Sequence, residues 1–126
     1  GLFGSKIGGW YEYQKFARDD KAPTEWLVIR KGPVPGSTNR SWNDQLGLIR
    51  VEERVPNAGE MGWFVTTFFR VRGVRLFEKV YVRTSSVVSY GNRINVGDFV
   101  SNGLKVNSDW DAHRHDRLGV ASARKF

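Results

Sequence analysis

The chain has 126 residues, a formal charge of +7 and a pI near 10.1, with 40% hydrophobic and 13% aromatic residues. That length fits one domain, which buries roughly 65% of its unfolded surface, and the composition excludes a disordered chain. With no cysteine there is no disulfide framework, no Cys-ligated zinc site and no thiol nucleophile, and no apolar run approaches the ~20 residues of a membrane span.

Residues 1–24 read as an arm, punctuated by Gly1, Gly4, Gly8 and Gly9 and closed by Pro23. Trp10–Phe16 within it suits a short strand or one or two helical turns. Gly1 in place of Met fits a removed leader, polyprotein cleavage or a later start, and GLFGSKIGG lacks the apolar stretch of a signal peptide. Glu25–Arg30 is a short apolar run between Pro23 and Gly32, as expected of a strand. Lys31–Asp44 holds Pro33, Pro35, Gly36, Asn39 and Asn43 and reads as a long loop.

Leu46–Val55 is strand-like, and Pro56–Gly59 makes a turn. Met61–Arg72 is rich in aromatic and β-branched residues, which predicts a second strand. After Gly73, Val74–Arg83 is the most regular strand pattern. Ser85–Arg93 fits a short helix or an irregular connection. Asn95–Asn107 reads as a turn, a strand and a continuation broken by glycine, and Leu118–Ala123 adds a last short strand. The expected fold is therefore all-β or β-dominated, five short strands closing wholly or partly into a small barrel. Residues 1–45 would be an N-terminal extension with a long loop, and 46–126 the barrel with a basic C-terminal tail.

Side chains alternate along a strand. Over 74–83 one parity is Val74, Leu76, Glu78, Val80 and Val82, a core face apart from Glu78. The other is Arg75, Phe77, Lys79, Tyr81 and Arg83, where bases alternate with aromatics. The preceding segment offers Phe64, Phe68, Arg70 and Arg72 on one parity and Trp63 on the other. Single-stranded nucleic acid calls for this mixture: bases stack on rings, and Arg and Lys neutralise phosphates. The competing reading is a face covered by protein, with Arg stems lying over an apolar patch.

The order of features resembles an OB-fold of the single-stranded-DNA-binding protein family over about Leu46–Asn107. Its pieces are a first strand with Gly47 and Ile49, a second ending FFRVRG, a third reading VRLFEKVYVR, and NVGDFVSNGLKV with Gly97, Asp98, Val100 and Gly103. The resemblance implies a five-stranded OB-like barrel that binds single-stranded DNA or RNA. Carried over, the binding residues would be Trp63, Phe64, Phe68, Arg70, Arg72, Arg75, Phe77, Lys79, Tyr81 and Arg83. It also implies a possible organellar, mitochondrial setting, with other ribonucleoprotein subunits or further copies of the chain as partners.

Asp109, Asp111, His113, His115 and Asp116 have metal-ligand types, with His113 and His115 on one side of an extended chain. Arg114 and Arg117 in the same segment oppose a cation, so a polar loop is the plainer reading. No nucleophile elbow, phosphate loop or HExxH helix occurs. The expectation is a non-catalytic nucleic-acid-binding protein without cofactor. The alternatives are a structural RNA- or protein-binding subunit of a large ribonucleoprotein such as a mitochondrial ribosome, and a metal-dependent enzyme using residues 109–116.

Overall fold

The structure, a computed structural model, describes residues 27–125. The arm with its Trp10–Phe16 segment lies outside the described residues. Those residues are β-dominated: strands β1 (Leu27–Ile29), β2 (Tyr81–Val87), β3 (Arg93–Val100), β4 (Gly103–Asp109), β5 (Leu118–Val120) and β6 (Ala123–Lys125), with helices α1 (Trp42–Leu46) and α2 (Ala58–Arg72). The main sheet has the order β4-β3-β2-β5. Its first three strands are antiparallel, and β5 joins β2 in parallel. A separate ladder pairs β1 with β6, Leu27 opposite Lys125 and Ile29 opposite Ala123. The described strands thus form two sheets and not a closed barrel.

Met61–Arg72, expected as a strand, is helical, and the reason lies at its ends. Asn57 Oδ1 accepts from the Glu60 amide at 2.7 Å, and Glu60 Oε1 accepts from the Asn57 amide at 2.9 Å. This reciprocal capping box satisfies donors that a helix start leaves orphaned. Gly73 closes the helix at φ 70°, where a side chain would be strained, and its N–H reaches the Phe69 carbonyl. Ala58, Met61 and Val65 recur at helical spacing and are buried.

The pattern over 74–83 also divides. Leu76–Lys79 form a turn, with Phe77 at φ 58°, and the strand begins only at Tyr81. Over 46–55 the chain leaves α1 through turns, and only Arg54 pairs, in a lone bridge with Ala123. Elsewhere the sequence reads more directly. Leu27–Ile29 is a strand and Lys31–Arg40 is loop, but the loop expected to run to Asp44 gives way to α1, which starts where Ser41 Oγ accepts from the Asp44 amide. Strands β3 and β4 form a hairpin across Ser101 and Asn102. Residues 27–45 join the rest through the β1–β6 ladder and through Val34 and Trp42, which pack on Val120.

The register gives the main sheet two unlike faces. Val82, Val96 and Val106 lie side by side, flanked by Ile94 and Leu104, and all are buried. With Met61 and Val65 of α2 they form the main core, which Phe77 and Phe99 extend. The opposite face brings together Tyr81, Arg83, Arg93, Asn95, Asn107 and Asp109. Gly97 sits beside Tyr81 at an irregularity in the ladder, φ 157°, where a Cβ would collide with the Val80 carbonyl oxygen.

Candidate functional site on the polar sheet face

A fully buried cation organises this face. Arg83 is 0% exposed. Its Nη1 donates to the Arg40 carbonyl and to Gln45 Oε1, each at 3.0 Å. Its Nη2 donates to the carbonyls of Trp110 at 3.1 Å and His113 at 2.7 Å. One guanidinium on β2 thereby ties the loop before α1, α1 itself and the loop after β4 onto the sheet. Its planar fork suits several fixed acceptors at once. Burial pulls the Arg83 pKa down, and Asp111 and Asp109 partly oppose this. Among the described residues Arg83 Nε has no hydrogen-bond partner.

Arg93, one strand over, forks onto Asp111 with bonds of 3.0 and 3.3 Å and lies 3.8 Å above the Trp42 ring. The first half of the loop 110–117 is therefore held by two arginines. Further main-chain bonds run from Asn39 N to the His115 carbonyl and from Trp42 N to the Asp111 carbonyl, both 2.8 Å. Backbone bonds and the side chains of Asp111 and Arg114 hold the loop, and His113, His115 and Arg117 line the hollow beside it.

Those side chains border a pocket of about 220 Å³. Tyr81, Asn95, Asn107 and Asp109 come from the sheet, His113, His115 and Arg117 from the loop, and Leu118 from β5. Asn95 Nδ2 donates to Asp109 Oδ2 at 3.2 Å, and Asp109 Oδ1 lies 4.0 Å from His113 Nε2. His115 Nδ1 accepts from the Arg117 amide at 3.0 Å, which places the proton of the neutral ring on Nε2. Asp116 Oδ1 is 3.2 Å from the same Nδ1. Arg117 donates to the Lys79 carbonyl at 2.8 Å and to Asp98 Oδ1 at 3.2 Å. Burial pushes the Tyr81 phenol up, and Asp98 adds to the shift. At the rim Trp110 is 56% exposed, its ring 4.4 Å from that of His113.

The charge excess belongs to the described residues. Lys6, Lys15, Arg18 and Lys21 are balanced by Glu12, Asp19, Asp20 and Glu25, so the +7 lies in residues 27–125. Lys79, Arg114 and Arg117 are exposed, and of them Arg117 lines the pocket. Asp44, Asp98 and Asp116 lie among them, and Arg114 pairs with Asp44.

The ten residues expected to form one binding face do not share one. Trp63, Phe64, Phe68, Arg70 and Arg72 lie on α2, which covers the apolar side of the sheet. Tyr81 and Arg83 lie on the polar side. Phe77 is 5% exposed and belongs to the core. Arg75 stacks 4.7 Å above Phe69 and 5.7 Å above Phe99. Lys79 is exposed in the turn before β2. Of the ten, only Tyr81 lines the pocket, while Arg83 fastens its loop and Lys79 sits at its edge. The sequence put Asp109, Asp111, His113 and His115 on one parity of an extended chain; residues 110–117 are instead a loop that brings three of them to the pocket and turns Asp111 onto Arg93. Sequence reasoning gave no role to Asn95, Asn107 or Arg117, which only the β3–β4 register and the parallel β5 bring beside them.

Among the described residues no group of three or more His, Cys, Asp or Glu side chains is arranged to hold a metal ion. Asp111 is turned onto Arg93, away from the pocket lining. No helix among them is long and apolar enough to cross a membrane. Comparison with family models, curated proteins and solved structures finds no match.

Proposed function

We propose that the chain binds single-stranded nucleic acid, RNA or DNA, along the rim of the polar-face pocket. The observation that carries this reading is the exposed Trp110 ring, packed on His113 of the pocket lining, with Arg117 of the same lining bonded to the Lys79 carbonyl. A base stacked on an aromatic ring is worth about 1–3 kcal/mol, and the cations between bases serve the phosphates. The reading does not need the OB-like barrel of the resemblance, because the groups that would meet the strand come from a loop and a sheet end.

Titrating a labelled single-stranded oligonucleotide at fixed salt tests it. Trp110→Ala should weaken binding by about 1–3 kcal/mol. The double Lys79→Ala/Arg117→Ala should flatten the salt dependence by roughly one to two counterions. An affinity unchanged in both variants would overturn the reading.

A second reading, a protein-binding subunit of a ribonucleoprotein such as that of a mitochondrion, is favoured by the outer face of α2. There Trp63 and Val71 are 55% and 72% exposed, and Val74, just past the end of the helix, is 49% exposed. Such a row suits a protein partner better than a phosphate chain.

A further inference from the structure

We infer that the pocket takes the Watson–Crick edge of a guanine from the bound strand, and that Asp109 selects it. The inference rests on the nucleic-acid reading and adds a base preference to it. Among the described residues no lysine or arginine pairs with Asp109, which lines the hollow of a strongly basic chain. Such a carboxylate repels a phosphate and calls for N–H donors, which a base edge supplies.

Both carboxylate oxygens are placed by the pocket lining. Asn95, buried in the sheet, donates from Nδ2 to Asp109 Oδ2 at 3.2 Å and fixes the carboxylate. Oδ1 lies 4.0 Å from His113 Nε2, too far for a hydrogen bond. Asn95 and His113 both line the hollow, so the carboxylate stands between its sheet side and its loop side, with 24% of the Asp109 side chain exposed. Among the described residues Oδ1 accepts no hydrogen bond, and Oδ2 keeps a second lone pair. Asn107 lies on the same face of β4, two residues back. Its Oδ1 accepts from the Ser108 amide, and its Nδ2 has no partner among the described residues.

Among the Watson–Crick edges that an unpaired strand exposes, guanine alone sets two N–H donors side by side, N1–H and the N2 amine, with the O6 carbonyl next to them. A carboxylate takes such a pair as a fork, and the Asn107 amide serves O6. In adenine and cytosine the amine stands beside a ring nitrogen that is itself an acceptor. In uracil and thymine the one N–H stands between two carbonyls. Each of these sets a lone pair against Asp109. Trp110 follows Asp109 directly, and its exposed ring offers the neighbouring base a stacking platform.

The decisive experiment uses the full chain and labelled oligothymidylates and oligouridylates roughly eight nucleotides long. Each carries one central guanine, adenine, cytosine or hypoxanthine, and fluorescence anisotropy at fixed salt reads the affinity. The guanine strand should bind roughly 5- to 150-fold tighter than the adenine and cytosine strands. Hypoxanthine keeps N1–H and lacks the N2 amine, so its strand should lose most of that advantage. Asp109→Asn, whose amide oxygen can still accept from Asn95, should bring guanine to within about twofold of adenine, because the amide sets its own N–H against one of the two donors. Circular dichroism and melting check that the variant folds, and the hypoxanthine strand tests the same contact on the parent chain. Equal affinity for all four strands, or a preference for another base, would overturn the inference and leave the binding reading standing. A guanine preference that survives in the folded variant, or hypoxanthine bound as tightly as guanine, would also overturn it. No binding of any strand would overturn the binding reading itself, and the inference with it.

Discussion

The two faces of the main sheet solve burial in opposite ways. On one, Val82, Ile94, Val96, Leu104 and Val106 meet Met61 and Val65 of α2. That contact is non-directional, and its stabilisation scales with the apolar area removed from water. On the other, a buried guanidinium satisfies acceptors from three separate segments. A buried charge costs several kcal/mol unless hydrogen bonds replace its water, so this face gains less net stability from each group it buries. What it gains is position. The carbonyls of Trp110 and His113 are pinned to β2, and the pocket side chains are set relative to the sheet.

The largest expected effect comes from breaking the polar side. Arg83→Met leaves buried acceptors from Arg40, Gln45, Trp110 and His113 without their donor and should cost about 3–5 kcal/mol in denaturant unfolding. Arg83→Lys should recover little, because an ammonium lacks the planar fork. Leu104→Ala, on the apolar side, should cost about 2–5 kcal/mol through its cavity. The two differ in distribution. Hydrogen exchange should show Arg83→Met loosening residues 110–117 beyond the global loss, and Leu104→Ala lowering protection throughout. Equal loosening of that loop in both variants would dissolve the distinction between the faces.

How far the sequence discloses this depends on which interactions decide each segment. The β-dominated class, the Leu27–Ile29 strand and the loop after it follow from local alternation and turn residues, whereas Asn95–Asn107, read as one strand with a glycine-broken continuation, folds back as the β3–β4 hairpin. Helix α2 is missed because its aromatic and β-branched content outweighs its end signals: Asn57 with Glu60 three residues on, and Gly73 at the close, mark a helix. The parity that separates Val82 from Tyr81 and Arg83 is correct, yet Arg83 reads as an exposed phosphate ligand. Its real partners lie 27 to 43 residues away in sequence, and alternation says nothing about what covers a face. The pocket was half legible: His113 and His115 share a parity, but Tyr81 and Arg117 join them only through the parallel pairing of β5 with β2.

Changing pH should strain the two sides at opposite ends of the scale. Glu60, at the start of α2, is buried, which alone would raise its pKa; Arg54, bound at 2.6 and 2.9 Å, and the Asn57 amide outweigh this and hold it below the ordinary 4.5. A carboxyl lowered on folding stabilises fully above its unfolded value, and that stability is lost as pH falls through the folded one. Glu60→Gln should therefore cost about 1–2 kcal/mol near neutral pH through the lost cap and ion pair. The gap to the parent should close below pH 4.5. A gap that stays constant in acid would mean that the cap acts through shape and not through charge.

The smallest effect belongs to Tyr81, and its sign is reversed. Burial first, then Asp98, raise the phenol above its ordinary 10.0. A phenol raised on folding leaves stability intact below that value and withdraws it as pH climbs from there through the folded pKa. Among the described residues the Tyr81 hydroxyl has no hydrogen-bond partner, so Tyr81→Phe should shift stability by less than about 0.5 kcal/mol at neutral pH. Above pH 10 the variant should outlast the parent in thermal melts, since it has no phenol to ionise beside Asp98. Melting curves that coincide throughout the alkaline range would show that the pocket rehydrates before the phenol ionises. The loop 110–117 would then be the part of the polar face that opens first.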